Sequence, residues 1–159
     1  MGIRQSVPTN RPLLIQAQSI VFAPRRDRTV LYHGDEGARR AELFVRQHPG
    51  YTRIDELLEG SPPKGNPEGR ELLRLLKAKP WAQKEEVWWE LSRKLARAAS
   101  GDVHCFGPER LTRSQPVSTH RSRFAPRAYA NTVFEKVELP ELDNNHLVET
   151  IYYNGTPLR

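Results

Sequence analysis

The sequence predicts an α/β domain: a single layered unit whose small, largely parallel sheet is flanked by helices. Three observations carry that expectation. Thr29–His33 (TVLYH) is a β-branched and aromatic run that stops at Gly34. A long amphipathic segment, about Gln83 to Ser100, is stopped by Gly101 and followed at once by the short apolar run Val103–Phe106. Val148–Tyr153 (VETIYY) reads as a last strand. Strands separated by helical segments are the pattern of layered α/β folds, and open sheets of that kind bind ligands beyond the carboxyl ends of their strands.

The elements follow in order. Residues 1–28 read as an N-terminal extension, partly ordered and poor in core. Pro8, Pro12 and Pro24 punctuate it, and Arg25, Arg26 and Arg28 cluster at its end. Only Leu13–Phe22 has the apolar content to pack as a short strand or helix. The domain proper is expected over 29–159. After the TVLYH strand, Gly34 or Asp35 caps a helix from Glu36 to Gln47, which His48-Pro49-Gly50 ends. Thr52–Leu58 is open between a strand and a helical turn. Proline-rich Gly60–Gly69 is a loop, and Glu68–Lys77 is a helix with Leu72, Leu73, Leu75 and Leu76 crowded on one side. In the long helix Trp88, Leu91, Leu95 and Ala98 recur at three- and four-residue steps and make one apolar stripe. Gly107–Ala130 is an aperiodic arginine-rich connection. Val133–Leu139 alternates as a strand that carries Glu138 toward the same end of the sheet.

Composition sets the outer limits. The chain has 159 residues, 37% hydrophobic and 28% charged, with 13 prolines, which fits one domain with a modest core and long connections. No apolar run approaches the roughly 20 residues of a membrane span. The N-terminal stretch MGIRQSVPTNRP lacks a charged-then-apolar secretion signal, so action in a cytoplasm is expected. Cys105 is the single cysteine, so no internal disulfide can form. A net charge of +6 favours anionic partners: a nucleotide, nucleic acid or an acidic protein. No His, Cys or Asp cluster has the spacing of a metal site, and there is no glycine-rich phosphate loop.

The stretch Trp88-Trp89-Glu90-Leu91-Ser92-Arg93-Lys94-Leu95-Ala96, then Ala99 and Asp102-Val103-His104, resembles the W-x-x-x-S helix and short strand of the ADP-ribosyl cyclase / NAD glycohydrolase family. Phe134-Glu135-Lys136-Val137-Glu138 is similar to that family's F-x-x-V-E segment, which carries its catalytic glutamate. Thr52-Arg53-Ile54-Asp55, preceded by Ala41 and Phe44, echoes its T-L-E-D segment. The order agrees over Gly34–Gly155, about three quarters of the chain.

The resemblance implies cleavage of the nicotinamide–ribose bond of NAD, which is the substrate, with no further cofactor and no metal. It implies Glu138 as the carboxylate that stabilises an oxocarbenium-like ribose, and Trp88 as the indole that stacks on the cationic nicotinamide ring. Ser92, one turn after Trp88, would bind ribose or phosphate. Phe134 would border the diphosphate, with Arg127 supplying bidentate charge. Asp55 and Tyr32 would line the nicotinamide side, where Tyr32 or His33 takes the place of a family tryptophan. The secreted animal members carry several disulfides, so this chain resembles a disulfide-free microbial member. Its size and charge suggest a bacterial NAD-depleting toxin or effector domain, delivered to a target cell and neutralised by an acidic cognate immunity protein.

Two other classes compete. A ribonuclease-type toxin would use the positive charge for RNA and one of His33, His104 or His120 for general acid–base catalysis. A basic binding module would have no turnover, and Trp88 and Glu138 would then be packing residues.

Overall fold

The computed structural model describes residues 11–60, 65–108 and 134–158. Its centre is a four-stranded sheet in the order β1-β2-β3-β4, comprising β1 (Thr29–Tyr32), β2 (Gly101–Phe106), β3 (Val148–Tyr153) and β4 (Thr156–Pro157). β1 pairs parallel to β2, with Leu31 beside Cys105, and β2 pairs parallel to β3, with Cys105 beside Tyr153. The short β4 is antiparallel to β3. The expected small, largely parallel sheet is therefore present. A parallel bridge between Thr29 and Thr52 extends the β1 edge.

Six α-helices surround the sheet among the described residues: α1 (Arg11–Ser19), α2 (Gly34–Gln47), α3 (Ile54–Glu59), α4 (Pro67–Lys77), α5 (Trp81–Ala98) and α6 (Leu139–Asp143). Alternation along the strands sorts their side chains between two layers. Leu31, Val103, Cys105, Ile151 and Tyr153 face the main core, which α1, α3, α4, α5 and α6 complete. Val30 and Phe106 face α2, where Ala41, Phe44, Val45 and Tyr51 close a smaller cluster.

Several elements differ from the sequence reading. The apolar residues before β1 are core: Leu13, Ala17, Ile20 and Phe22 are all buried in the main cluster. Leu13, Ala17 and Ile20 are spaced by four and then three residues, a helical step, with the last of them just past the end of α1, and prolines and arginines on either side obscure it. Thr52–Leu58 resolves as a bridge residue followed by α3, whose first turn carries Asp55 and Glu56 in the favourable acidic position. Of the strand expected over Val133–Leu139, Val133 lies outside the described residues, and no strand forms over 134–139. Phe134–Glu138 is a single π-helical turn that runs directly into α6. Residues 109–133, which take in most of the arginine-rich connection, lie outside the described residues.

The segment joining α5 to β2 is held from both sides. The Asn145 side-chain amide donates to the carbonyls of Ala96, Arg97 and Ala99 at 3.0, 3.2 and 2.9 Å, satisfying acceptors that a helix end leaves open. Gly101 has φ +72°, and a Cβ there would come within 1.9 Å of Asp27 Oδ1, so glycine is required. Asp27 Oδ1 itself accepts from the Asp102 N–H at 2.8 Å. The long helix and the central strand are thus joined with little freedom.

Candidate active site

Helix α5 supplies the first wall. Val87, Leu91 and Leu95 are fully buried and fix which face meets the core. Ser92 follows Leu91 on the buried side, and Trp88 packs half-buried against the same core. The second wall is the π-helical turn before α6. Leu139 and Leu142 are fully buried and anchor α6, while Arg97 on α5 grips Glu141 on α6 through two hydrogen bonds of 2.9 and 3.0 Å. A π-turn widens the helix by one residue per turn and often sits at a functional site. Here it ends on Glu138.

Glu138 is 1% exposed, and neither carboxyl oxygen has a hydrogen-bond partner among the described residues. Burial pushes its pKa up to about 8, and the nearby Ser92 hydroxyl draws it back only in part. That hydroxyl lies beside the carboxyl without reaching hydrogen-bond geometry with either oxygen. On the sheet side the neighbour is Cys105, whose thiol is pushed well up by burial first and by the charge of Glu138 second. An unsatisfied buried carboxyl costs free energy in the resting protein. It is the kind of group that gains when a ligand brings hydroxyls or positive charge.

A second pair forms at the edge of the sheet. The Tyr32 hydroxyl, at the carboxyl end of β1, donates to Asp55 Oδ1 at 2.8 Å. Burial first, and then the Asp55 charge, raise the Tyr32 phenol far above its ordinary value, so it stays protonated. Asp55 lies within the first turn of α3 and caps nothing. The cap residue is Arg53, whose N–H donates to Glu56 Oε1 at 2.8 Å and whose guanidinium also binds Glu56.

A third group, which the sequence did not single out as a unit, crosses the ends of all three parallel strands. His33 follows β1 and its ring Nε2 is 3.1 Å from the Tyr153 hydroxyl. Both rings lie over Gly107, where a Cβ would meet the Tyr153 oxygen at 2.1 Å and His33 Nε2 at 2.2 Å. Asn154 takes the Gly107 N–H on its side-chain oxygen and donates its amide to the Gly107 and Pro108 carbonyls, each at 3.2 Å. Burial lowers the His33 pKa to about 4, so the imidazole is neutral. The signal in the sequence was Gly107 two residues beyond Cys105, but its partners lie 74 and 46 positions away.

The structure therefore places Glu138 beside Ser92 on one wall, and Tyr32 with Asp55 at the sheet edge. No hydrogen bond joins these two pairs among the described residues. Phe134 opens the π-turn that Glu138 closes. Arg127 lies outside the described residues, as does His120. Of the histidines a ribonuclease would need, His33 is neutral and buried. His104 stacks on Tyr152 with ring centroids 4.8 Å apart on the α2 side of the sheet.

No protein-family model matches the sequence, and no curated protein matches it significantly. Among solved structures the chain is similar to a crystal structure of ADP ribosyl cyclase complexed with N1-cIDPR. The identity is 17% and the TM-score 0.47, covering 81% of this chain and 49% of that one. It is also similar to Aplysia cyclase complexed with the substrate NGD and product cGDPR, at 16% identity and a TM-score of 0.48, with the same coverage. The chain thus spans about half the length of these structures. No helix among the described residues is long and apolar enough to cross a membrane.

Proposed function

We propose that this protein is an NAD glycohydrolase that breaks the bond between nicotinamide and ribose, and that Glu138 is its catalytic carboxylate. The observation that carries this reading is the buried Glu138 carboxyl beside Ser92, with neither oxygen partnered among the described residues, on the main-core side of β2. The sequence order of Trp88, Ser92 and Glu138 agrees with that of the cyclase family.

Nicotinamide leaves with the electron pair of the glycosidic bond, which neutralises its ring and leaves positive charge on the ribose. A carboxylate held in a dry site stabilises that charge more strongly than one in water. Water then adds at the anomeric carbon and loses a proton, giving ADP-ribose. Capture by an adenine nitrogen instead gives a cyclic product. Ser92 orients the ribose, Trp88 stacks on the nicotinamide, and Tyr32 with Asp55 borders the pocket on the β1 side. Phe134 and Arg127 attend the diphosphate.

The biological setting we propose is a bacterial toxin or effector domain that depletes NAD in the cytoplasm of a target cell. Its net charge of +6 suits an acidic immunity protein as the partner that covers the cleft.

The test is incubation with NAD beside a Glu138→Gln variant of unchanged fold. Nicotinamide release by the wild type, lost at least 100-fold in the variant, is the expected result. Intact NAD after prolonged incubation with folded wild type overturns the reading.

A further inference from the structure

The wall that carries Glu138 has a firm half and a weak half. Helix α6 is the firm one: Leu139 and Leu142 are fully buried in the main core, and Arg97 holds Glu141. The π-turn Phe134–Glu138 is the weak one, an uncommon geometry found mostly as single turns. Its contact with α5 includes the exposed Lys136, whose ammonium lies 5.9 Å from the centre of the Trp89 ring. Helical backbone runs on from the turn into α6, since Glu138 has φ −72° and ψ −50°. An N–H at residue 140 would reach back to the Lys136 carbonyl in an α-ladder, or to the Glu135 carbonyl in a π-ladder. Residue 140 is proline and has no N–H to give. The joint between the two halves therefore lacks a hydrogen bond.

The weak half covers a group that resists being covered. Both Glu138 oxygens are buried and have no hydrogen-bond partner among the described residues. Ser92 faces them from α5 and Cys105 from β2, and among the described residues no cation does. A neutral carboxyl tolerates these surroundings. A carboxylate there has neither a charge partner nor hydrogen bonds, and its desolvation favours any conformation that returns it to water. Release of the π-turn achieves this most readily, because α6 keeps its buried leucines and its clamp on α5. Openings of this local kind draw on the least stable segments of a fold.

We infer that the π-turn Phe134–Glu138 is a gate, hinged before Pro140 on the fixed helix α6, and that ionisation of Glu138 opens it and bares Ser92 and Cys105 together with the carboxylate. Under the glycohydrolase reading this is how ribose reaches Glu138. The gate itself needs only the geometry of the wall.

Cys105 is the single cysteine of the chain and is buried, so its reaction with dithiodipyridine, a neutral thiol reagent, reports the opening. Rates are measured on the full chain at pH 6 and pH 9 for wild type, Glu138→Gln and Pro140→Ala. The stability of each protein and the reaction rate of its unfolded chain set the rate that global unfolding alone would allow. Wild type at pH 9 is expected to react at least tenfold faster than that limit. It should also react at least tenfold faster than Glu138→Gln at pH 9, with the two proteins within twofold of each other at pH 6. The charge of Glu138 by itself hinders ionisation of the Cys105 thiol, so it cannot produce a difference of that sign. Pro140 is exposed, and Pro140→Ala supplies the missing N–H without touching the core, so it should slow the wild-type reaction at pH 9 at least threefold. Labelling no faster than global unfolding allows, equal rates for wild type and Glu138→Gln at pH 9, or no slowing by Pro140→Ala overturns the inference. No dinucleotide is present, so failure of the gate leaves the glycohydrolase standing, and failure of NAD cleavage leaves the gate standing.

Discussion

Arg97 on α5 and Glu141 on α6 are joined by two near-parallel hydrogen bonds, and they lie five residues after Ser92 and three after Glu138. The ion pair thus clamps together the two segments that bring the serine beside the carboxyl. Arg97 is largely exposed, so its direct worth to stability is about 0.2–1 kcal/mol. Its geometric consequence is larger, because a displaced π-turn moves Glu138 out of register with Ser92. Arg97→Ala is expected to lower the melting temperature by no more than about 4 °C, while reducing nicotinamide release about tenfold. Equal turnover by Arg97→Ala and wild type would show that Leu139 and Leu142 alone hold the turn.

Glu138 gives the protein a definite response to pH. Its pKa is about 8 in the folded state, above the ordinary 4.5, so the folded protein holds the proton more tightly than the unfolded chain. The stability linked to this group is complete below pH 4.5 and declines as the pH rises through about 8. Glu138→Gln removes the ionisable group, so it should melt higher than wild type at pH 9 by about 4 °C or more. The difference should vanish at pH 4.5. Thermal melts across that range check it, and a variant less stable than wild type at every pH would contradict the burial of an unpartnered carboxyl.

The same titration governs turnover. Only the ionised carboxylate stabilises a cationic ribose, so kcat/KM for NAD should climb between pH 6 and 9 with a midpoint near the Glu138 value of about 8. Ser92→Ala removes the hydroxyl that draws this value down, and should move the midpoint to higher pH. A flat profile, or one unmoved by the serine change, would separate Glu138 from the chemistry.

The fold class was legible because its signals are local. TVLYH, VETIYY and the stripe of Leu91 and Leu95 announce their elements within windows of a few residues. The Glu138 segment misled for the opposite reason. Val133, Val137 and Leu139 can be read as alternation, yet Glu135 breaks it, whereas Leu139 and Leu142 repeat at a helical step. Pro140, acceptable in a first helical turn, marks α6. Burial of Glu138 beside Ser92 depends on how α6 docks on α5, and no spacing within the chain encodes that. The same holds for Tyr32 and Asp55. The family resemblance points to each separately, but their hydrogen bond depends on the bridge between Thr29 and Thr52 that aligns α3 with the end of β1.

That hydrogen bond is open to test. Tyr32→Phe leaves Asp55 without the phenol donor and should destabilise the protein by about 1.5 kcal/mol, the scale of a hydrogen bond to a charged group. Asp55→Asn keeps an acceptor and should cost less. The double variant should be less destabilised than the sum of the two, because both remove one interaction. Strict additivity in denaturant melts would mean that the two side chains are not coupled in solution.

Gly107 offers the sharpest test of how the strand ends are packed. The methyl group of Gly107→Ala would lie 2.1 Å from the Tyr153 oxygen and 2.2 Å from His33 Nε2, so both side chains must retreat or the β2 exit must shift. Overpacking of this kind costs about 1–3 kcal/mol. The Tyr153→Phe change deletes one of the two atoms in the way. Added to Gly107→Ala, it should therefore return part of the lost stability, although on its own background it removes hydrogen bonds to His33 and Pro108. His33→Ala should do the same from the other side. Neither single relief is complete, since each leaves the other atom in place. Melting temperatures for the four proteins of each cycle measure the coupling. Its sign should be positive in both, and a Gly107→Ala protein as stable as wild type would mean that the two rings do not rest over Gly107 in solution.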